Sequence, residues 1–161
     1  MTDLWPDDIA VTTARSPVSI LREQAAILGK KIRNLVEATV MAQDVGDPTT
    51  KKPGIFTYSF YLVAPALHNY HYRLFSITHD IELYPVTFLL DCEVANQILN
   101  TETAESWVQV KAESEEDLIR VLKSIFNANK TRQVIQAMLA QTTSFTNDDT
   151  AVSMPETAAA A

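Results

Sequence analysis

Three histidines in the middle of the chain are the residues best suited to metal chemistry. His68 and His71 lie three positions apart, so their imidazoles can approach one ion across a turn. A zinc site needs three or four ligands, and Asp80 or Cys92 would have to complete the set. His79 cannot share an ion with His71, because the strand between them would hold them about 26 Å apart. We therefore predict no metal ion and no cofactor, with His68 and His71 as the ligands if a metal does bind.

His79 followed by Asp80 is a possible acid–base pair. The carboxylate would orient the imidazole, and the hydroxyl of Ser76 or Thr78 would be the nucleophile. Neighbouring side chains on a strand point to opposite faces, which separates this pair unless Asp80 already lies in a turn. A turn aspartate that accepts backbone amides is the simpler interpretation. The alternative function that stays open is a small hydrolase or metal-dependent enzyme using His68, His71, His79 and Asp80.

Tyrosines dominate the same stretch, since all five in the chain lie between positions 58 and 84. Tyrosine and arginine carry much of the binding energy at protein interfaces, where lysine and glutamate are depleted. A stacking platform for single-stranded nucleic acid normally adds a positive groove, but Arg73 is the only Lys or Arg between Pro53 and Lys111. We therefore predict a surface that binds protein, made of Tyr58, Tyr61, Tyr70, Tyr72 and Arg73.

Composition excludes several other classes of function. Only three glycines are present, Gly29, Gly46 and Gly54, and none belongs to a glycine-rich loop that could cradle a di- or triphosphate. The net charge of −7 disfavours attraction to phosphate backbones or anionic lipid. A nucleic-acid-binding module is therefore only a second alternative, and nucleic acid is not expected as a partner.

Features of the termini and the cysteine content predict where the protein works. The apolar runs, such as Tyr84 to Leu90, are too short to cross a bilayer. An acidic start, MTDLWPDD, differs from the basic and then apolar start of a secretory signal. A single cysteine, Cys92, agrees with a reducing compartment. We predict a cytoplasmic protein without a membrane partner.

Alternating apolar and polar residues predict four or five strands. The segment Ile55 to Ala64 is partly apolar on both faces, which predicts an interior strand that is covered at least in part on each side. Strict alternation assigns the odd positions of the next strand to one face, namely His71, Arg73, Phe75, Ile77 and His79. Pro85 removes a ladder hydrogen-bond donor, which argues for an edge position or a bulge in the strand that contains it. The predicted strands are Leu35 to Gln43, Ile55 to Ala64, Tyr70 to His79, the run that ends at Asp91, and Trp107 to Ala112.

Helix signals flank the predicted strands. Ser16 and Pro17 predict the start of a first helix, and Gly29 its end. Residues 93 to 100 suggest a short helix or an ordered turn. Ser114, with Asp117 three residues on, predicts a helix start, and Thr131 predicts the start of a last helix.

Together these elements predict an α+β fold, in which an antiparallel meander of four to five strands carries one N-terminal helix and two C-terminal helices. Residues 1–15 are predicted to form a loosely ordered arm, residues 16–141 a single domain and residues 142–161 a disordered tail. The leading hypothesis is a small cytosolic binding or regulatory protein that acts through protein–protein contact. Its expected partner is another protein or a second copy of the chain, in a homo-oligomer.

Overall fold

The computed structural model describes residues 1–9, 14–43, 54–102 and 105–152. Its order of elements confirms the predicted α+β class with an antiparallel sheet, one N-terminal helix and two C-terminal helices. The helices are α1 (Pro17–Lys31), α2 (Cys92–Leu99), α3 (Glu115–Asn127) and α4 (Asn129–Val152). The strands are β1 (Glu37–Ala42), β2 (Phe56–Ala64), β3 (Tyr70–His79), β4 (Val86–Asp91) and β5 (Trp107–Ala112), with a 3₁₀ turn at Pro65–Leu67 between β2 and β3.

Local capping explains where α1 begins, but its end differs from the prediction. The Ser16 hydroxyl accepts a hydrogen bond from the Ser19 amide, and Pro17 occupies the first turn. Gly29 does not stop the helix, which continues to Lys31. The chain instead folds back tightly, so that the Asn34 amide donates to the Gly29 carbonyl at 2.8 Å. A Cβ at Gly29 would lie 3.0 Å from Oδ1 of Asn34, so the glycine permits this close return.

The sheet is a plain antiparallel meander in the order β1-β2-β3-β4-β5. Pro85 precedes β4 rather than interrupting it, and β4 pairs with strands on both sides, so the predicted edge position is wrong. A bulge does occur, but in β3. Phe60 pairs with Phe75 while Tyr61 pairs with Arg73, which leaves Leu74 as the extra residue.

The helices and one face of the sheet enclose a single apolar core. The ring of Phe126 on α3 lies 5.5 Å from the ring of Phe60 and 6.3 Å from that of Phe75. Ile20 and Leu21 of α1 belong to the same cluster. β2 is interior, as predicted, since it pairs with β1 and β3, and Ser59 and Val63 on its side away from the helices are buried as well. Strand residues of the apolar core nevertheless come from one face of the sheet only. That face carries Phe60, Leu62, Phe75, Ile77, Val86, Phe88, Leu90 and Ala112.

Helix α4 is longer than the sequence predicted. It continues past position 141 to Val152, and Thr142 is buried. Hydroxyls of Thr143 and Ser144 donate to carbonyls one turn back, and the ring of Phe145 meets His68 edge-on at 5.4 Å. This contact with the 3₁₀ turn stabilises the part of α4 after position 141, where most residues are polar. Residues 153–161 of the predicted tail, residues 10–13 of the predicted arm and the polar loop 44–53 lie outside the described residues.

Candidate functional site

The face of the sheet opposite the core carries no helix in the described ranges, and we call it the open face. Strand registers assign its residues, since side chains alternate along each strand and paired residues share a face. Antiparallel sheets commonly leave one face free in this way. The open face consists of Glu37, Thr39, Met41, Thr57, Ser59, Tyr61, Val63, His71, Arg73, Ser76, Thr78, Thr87, Leu89, Asp91, Trp107, Gln109 and Lys111.

Aromatic rings and a guanidinium form a band across this face. The guanidinium carbon of Arg73 lies 4.5 Å from the centre of the Trp107 ring, a cation–π contact. Beside it, the rings of Tyr61 and His71 meet edge-on at 6.0 Å. Trp107 and His71 are exposed, and Tyr61 and Arg73 are half-buried. We call Tyr61, His71, Arg73 and Trp107 the aromatic band.

Charge is balanced on the open face, in contrast with the rest of the chain. The negative side chains Glu37 and Asp91 are matched by Arg73 and Lys111. The whole chain carries −7. A neutral face meets a partner without the long-range repulsion that the rest of the surface would produce between two copies.

Buried hydroxyls lie at the centre of the open face. Ser59 and Ser76 face each other on β2 and β3, and their hydroxyl oxygens are 2.7 Å apart. Neighbouring side chains shield both serines almost completely. A partner would therefore contact the aromatic and longer side chains of the open face, and the two serine hydroxyls at its centre would not be accessible to it.

The structure divides the predicted binding surface between two faces. Tyr61 and Arg73 belong to the open face, where they pair across β2 and β3. Tyr58, Tyr70 and Tyr72 point toward the helices. Burial raises the pKa of the Tyr72 hydroxyl above its ordinary value of 10.0. The five residues therefore do not form one continuous surface.

The three histidines are separated in the structure. His68 contacts Phe145 near the end of α4, and His71 donates from Nδ1 to the Asn69 carbonyl. His79 is buried on the covered face, where its ring stacks on Phe56 at 5.5 Å and on Tyr58 at 5.9 Å. Within the described residues, no group of three or more His, Cys, Asp or Glu side chains could hold a metal ion.

His79 and Asp80 do not form an acid–base pair. The ring atom Nδ1 of His79 donates to the backbone carbonyl of Asp80 at 2.7 Å, and the Asp80 carboxylate accepts the Glu82 amide at 2.9 Å. Asp80 is thus the turn aspartate of the simpler interpretation. Nε2 of His79 is buried and has no hydrogen-bond partner among the described residues, so it does not bond to the proposed nucleophiles Ser76 and Thr78.

Trp107 belongs to the candidate site although the sequence interpretation did not include it. The residue begins the alternating segment WVQVKA, and the polar positions Gln109 and Lys111 share its face. The sequence did contain a signal for Trp107. It occupies the same face of the alternating strand as the polar residues Gln109 and Lys111, and this position predicts that its ring is exposed.

The fold and the site define a two-layer α+β protein with an aromatic sheet face on which none of the described helices packs. None of the helices in the described ranges combines the length of a bilayer span with the apolar composition that spanning requires. No protein-family model, no curated protein and no solved structure matches the chain. The chain's own geometry therefore has to carry any argument about function.

Proposed function

We propose that this chain is a small cytosolic binding or regulatory protein that acts through protein contact, and that the open face is its contact surface. The observation that carries the proposal is the aromatic band, in which Arg73 is held against the exposed ring of Trp107. Tryptophan, tyrosine and arginine are the residue types most enriched among the energetic centres of interfaces. A side chain fixed by stacking also loses less conformational freedom when a partner binds.

A second copy of the chain is the partner that the charges favour. Two copies each carrying −7 repel one another, and a face without net charge is where that repulsion is least. Five strands spaced by about 4.8 Å, each about 20 Å long, cover roughly 500 Å² in projection. A face-to-face dimer of this size falls at the small end of specific interfaces, so we expect dissociation in the micromolar range.

The enzymatic alternative has less support from the geometry. The histidines lie in separate surroundings, and the His79 ring contacts a carbonyl oxygen rather than a carboxylate. Nucleic-acid binding also has less support, because the open face carries acidic side chains in equal number with basic ones. No structural observation specifically favours the enzymatic function or nucleic-acid binding.

Sedimentation velocity over a concentration series tests the proposal, with the wild-type chain compared to Arg73→Ala and Trp107→Ala. We expect a monomer–dimer equilibrium that each substitution weakens about tenfold or more, as at an interface centre. The control is Arg22→Ala, the same change on the exposed side of α1, which should leave the equilibrium unchanged.

Two results would contradict the proposal. A wild-type chain that stays monomeric to about 1 mM would exclude the self-contact, since weaker association has little specificity. A dimer that tolerates both Arg73→Ala and Trp107→Ala would place the contact elsewhere, with the free edges of β1 and β5 as the next surfaces to test.

A further inference from the structure

A cavity of about 260 Å³ lies between the helices and the covered face of the sheet, on the other side of the sheet from the aromatic band. Its floor is formed by Phe60, Leu62 and Leu74. Leu74 is the extra residue of the β3 bulge, so the bulge directs a large apolar side chain toward this cavity. Bulges often re-aim side chains beside functional sites.

The walls of the cavity are apolar and its rim is polar. Ile27 and Leu28 of α1 face Phe126 of α3 and Ile135 of α4 across the cavity. Gln24, Lys31, Asn127 and Thr131 complete the lining. Ile27 is 39% exposed, so one apolar side chain of the lining is in contact with solvent.

Among the described residues, Lys31 is the only charged one that lines the cavity. Lys31 is exposed, and its side chain makes no ion pair or hydrogen bond with any described residue. The side chain of Gln24 is equally without a partner among the described residues. None of the described lining residues has a carboxylate, so the lining offers a positive charge that a negatively charged ligand could neutralise.

We propose that this cavity binds a small apolar carboxylate. The apolar body lies on Phe60, Leu62 and Leu74, and the carboxylate meets the Lys31 ammonium at the mouth. An ammonium and a carboxylate form a charge-assisted hydrogen bond, which is stronger than a neutral one. An uncharged apolar molecule of the same length would leave this interaction unused.

The volume sets the size of the ligand. An apolar cavity of about 150 Å³ already admits a benzene ring, and most sites for drug-sized ligands exceed about 300 Å³. The cavity here lies between these values, at about 260 Å³. It therefore suits a short acyl chain or a single ring with one carboxylate, and it is too small for a phospholipid or a folded peptide.

Titration with octanoate, followed by methyl NMR and calorimetry, tests this proposal on the full chain. We expect saturable shifts at the methyl groups of Leu28, Leu62 and Leu74, with smaller or no shifts at Leu118 and Leu90, which belong to the core but do not line the cavity. Octan-1-ol, which has the same length without the charge, should bind about tenfold more weakly.

Three variants assign the role of Lys31. Lys31→Ala should weaken octanoate about tenfold and leave octan-1-ol unchanged, while Lys30→Ala, next to it on α1 but outside the cavity, should alter neither. Ile27→Glu should also weaken octanoate, because it places a negative charge at the exposed mouth. Thermal unfolding of each variant checks that it is folded.

Failure of the proposal has a distinct outcome. If octanoate produces no saturable shifts in the folded wild-type chain, the cavity does not bind carboxylates. Equal affinity of wild type and Lys31→Ala for octanoate would contradict the proposed contact between Lys31 and the carboxylate. The cavity would then recognise only the apolar body of its ligand. Neither result bears on the open face, because the two sites lie on opposite sides of the sheet.

Discussion

The Arg73 guanidinium lies over the Trp107 ring at 4.5 Å, although β3 and β5 are not neighbours in the sheet. The arginine side chain spans the intervening strand β4 to make this contact. Its long aliphatic part covers the open face while the planar charged group rests on the indole. The arrangement ties together the middle and one edge of the sheet on the surface that we propose for partner binding.

We predict that this stacking contributes modestly to the stability of the isolated chain. Arg73→Ala and Trp107→Ala should show a coupling of about 0.5–1 kcal/mol in a double-mutant cycle, the usual value for an exposed cation–π pair. Urea unfolding of the wild type, both single variants and the double variant gives this coupling. Strictly additive effects would show that the two side chains do not interact in solution.

The Ser59–Ser76 pair gives a second prediction. Replacing one serine by alanine leaves the other hydroxyl buried without its partner, which costs about 1–2 kcal/mol, while replacing both removes the two polar groups together. We therefore expect the double variant to be no less stable than either single variant. Chemical unfolding of the three chains measures this, with Thr87→Ala on the same face as a control for loss of a hydroxyl outside the pair. Additive losses in the double variant would contradict the shared hydrogen bond.

Most of the fold could be predicted from the sequence because its local signals agree with one another. The alternation from Ile55 to His79, the cap at Ser16 and the pairing of Ser114 with Asp117 all depend on near neighbours. The length of α4 could not be predicted, because its last turns are polar. They are supported by the contact of Phe145 with His68, which is distant in sequence.

The candidate site was only partly predictable, and the β3 bulge is the reason. Strict alternation assigns Arg73 to the same face as Phe75, but the extra residue Leu74 reverses the parity between them. Tyr72 consequently points to the helices together with Phe75. No glycine or proline in this part of β3 signals the bulge, so the face of each tyrosine could be assigned only from the strand pairing.

The start of α3 gives a prediction about pH. Hydrogen bonds from the Arg120 side chain and from the Glu113 amide hold the pKa of the Asp117 carboxyl below its ordinary value of 3.8. A carboxyl whose pKa is lower in the folded state stabilises the fold above its unfolded pKa, and this stabilisation is lost as the pH falls through the folded value. The stability difference between wild type and Asp117→Asn should therefore be present at pH 7 and shrink below about pH 4.

Urea unfolding between pH 7 and pH 2.5 measures this dependence. The matched control is Glu116→Gln, in the same helical turn, whose side chain bonds to no described residue. A difference for Asp117→Asn that stays constant over this range would show that the carboxyl is not held by these bonds. Because Arg120 is exposed and Asp117 is only half-buried, added salt should reduce the effect.

The buried His79 ring gives the last prediction, which also separates a packing role from a chemical one. The ring stacks on Phe56 and Tyr58, Nδ1 donates to the Asp80 carbonyl, and Nε2 has no hydrogen-bond partner within the described part of the chain. His79→Phe keeps the stacked ring and removes the unpaired nitrogen together with one hydrogen bond, so its stability should stay within about 1 kcal/mol of the wild type. His79→Ala leaves a cavity and should cost about 2 kcal/mol or more in urea unfolding. If phenylalanine destabilises the chain as much as alanine, the imidazole nitrogens rather than the packed ring hold this end of the sheet.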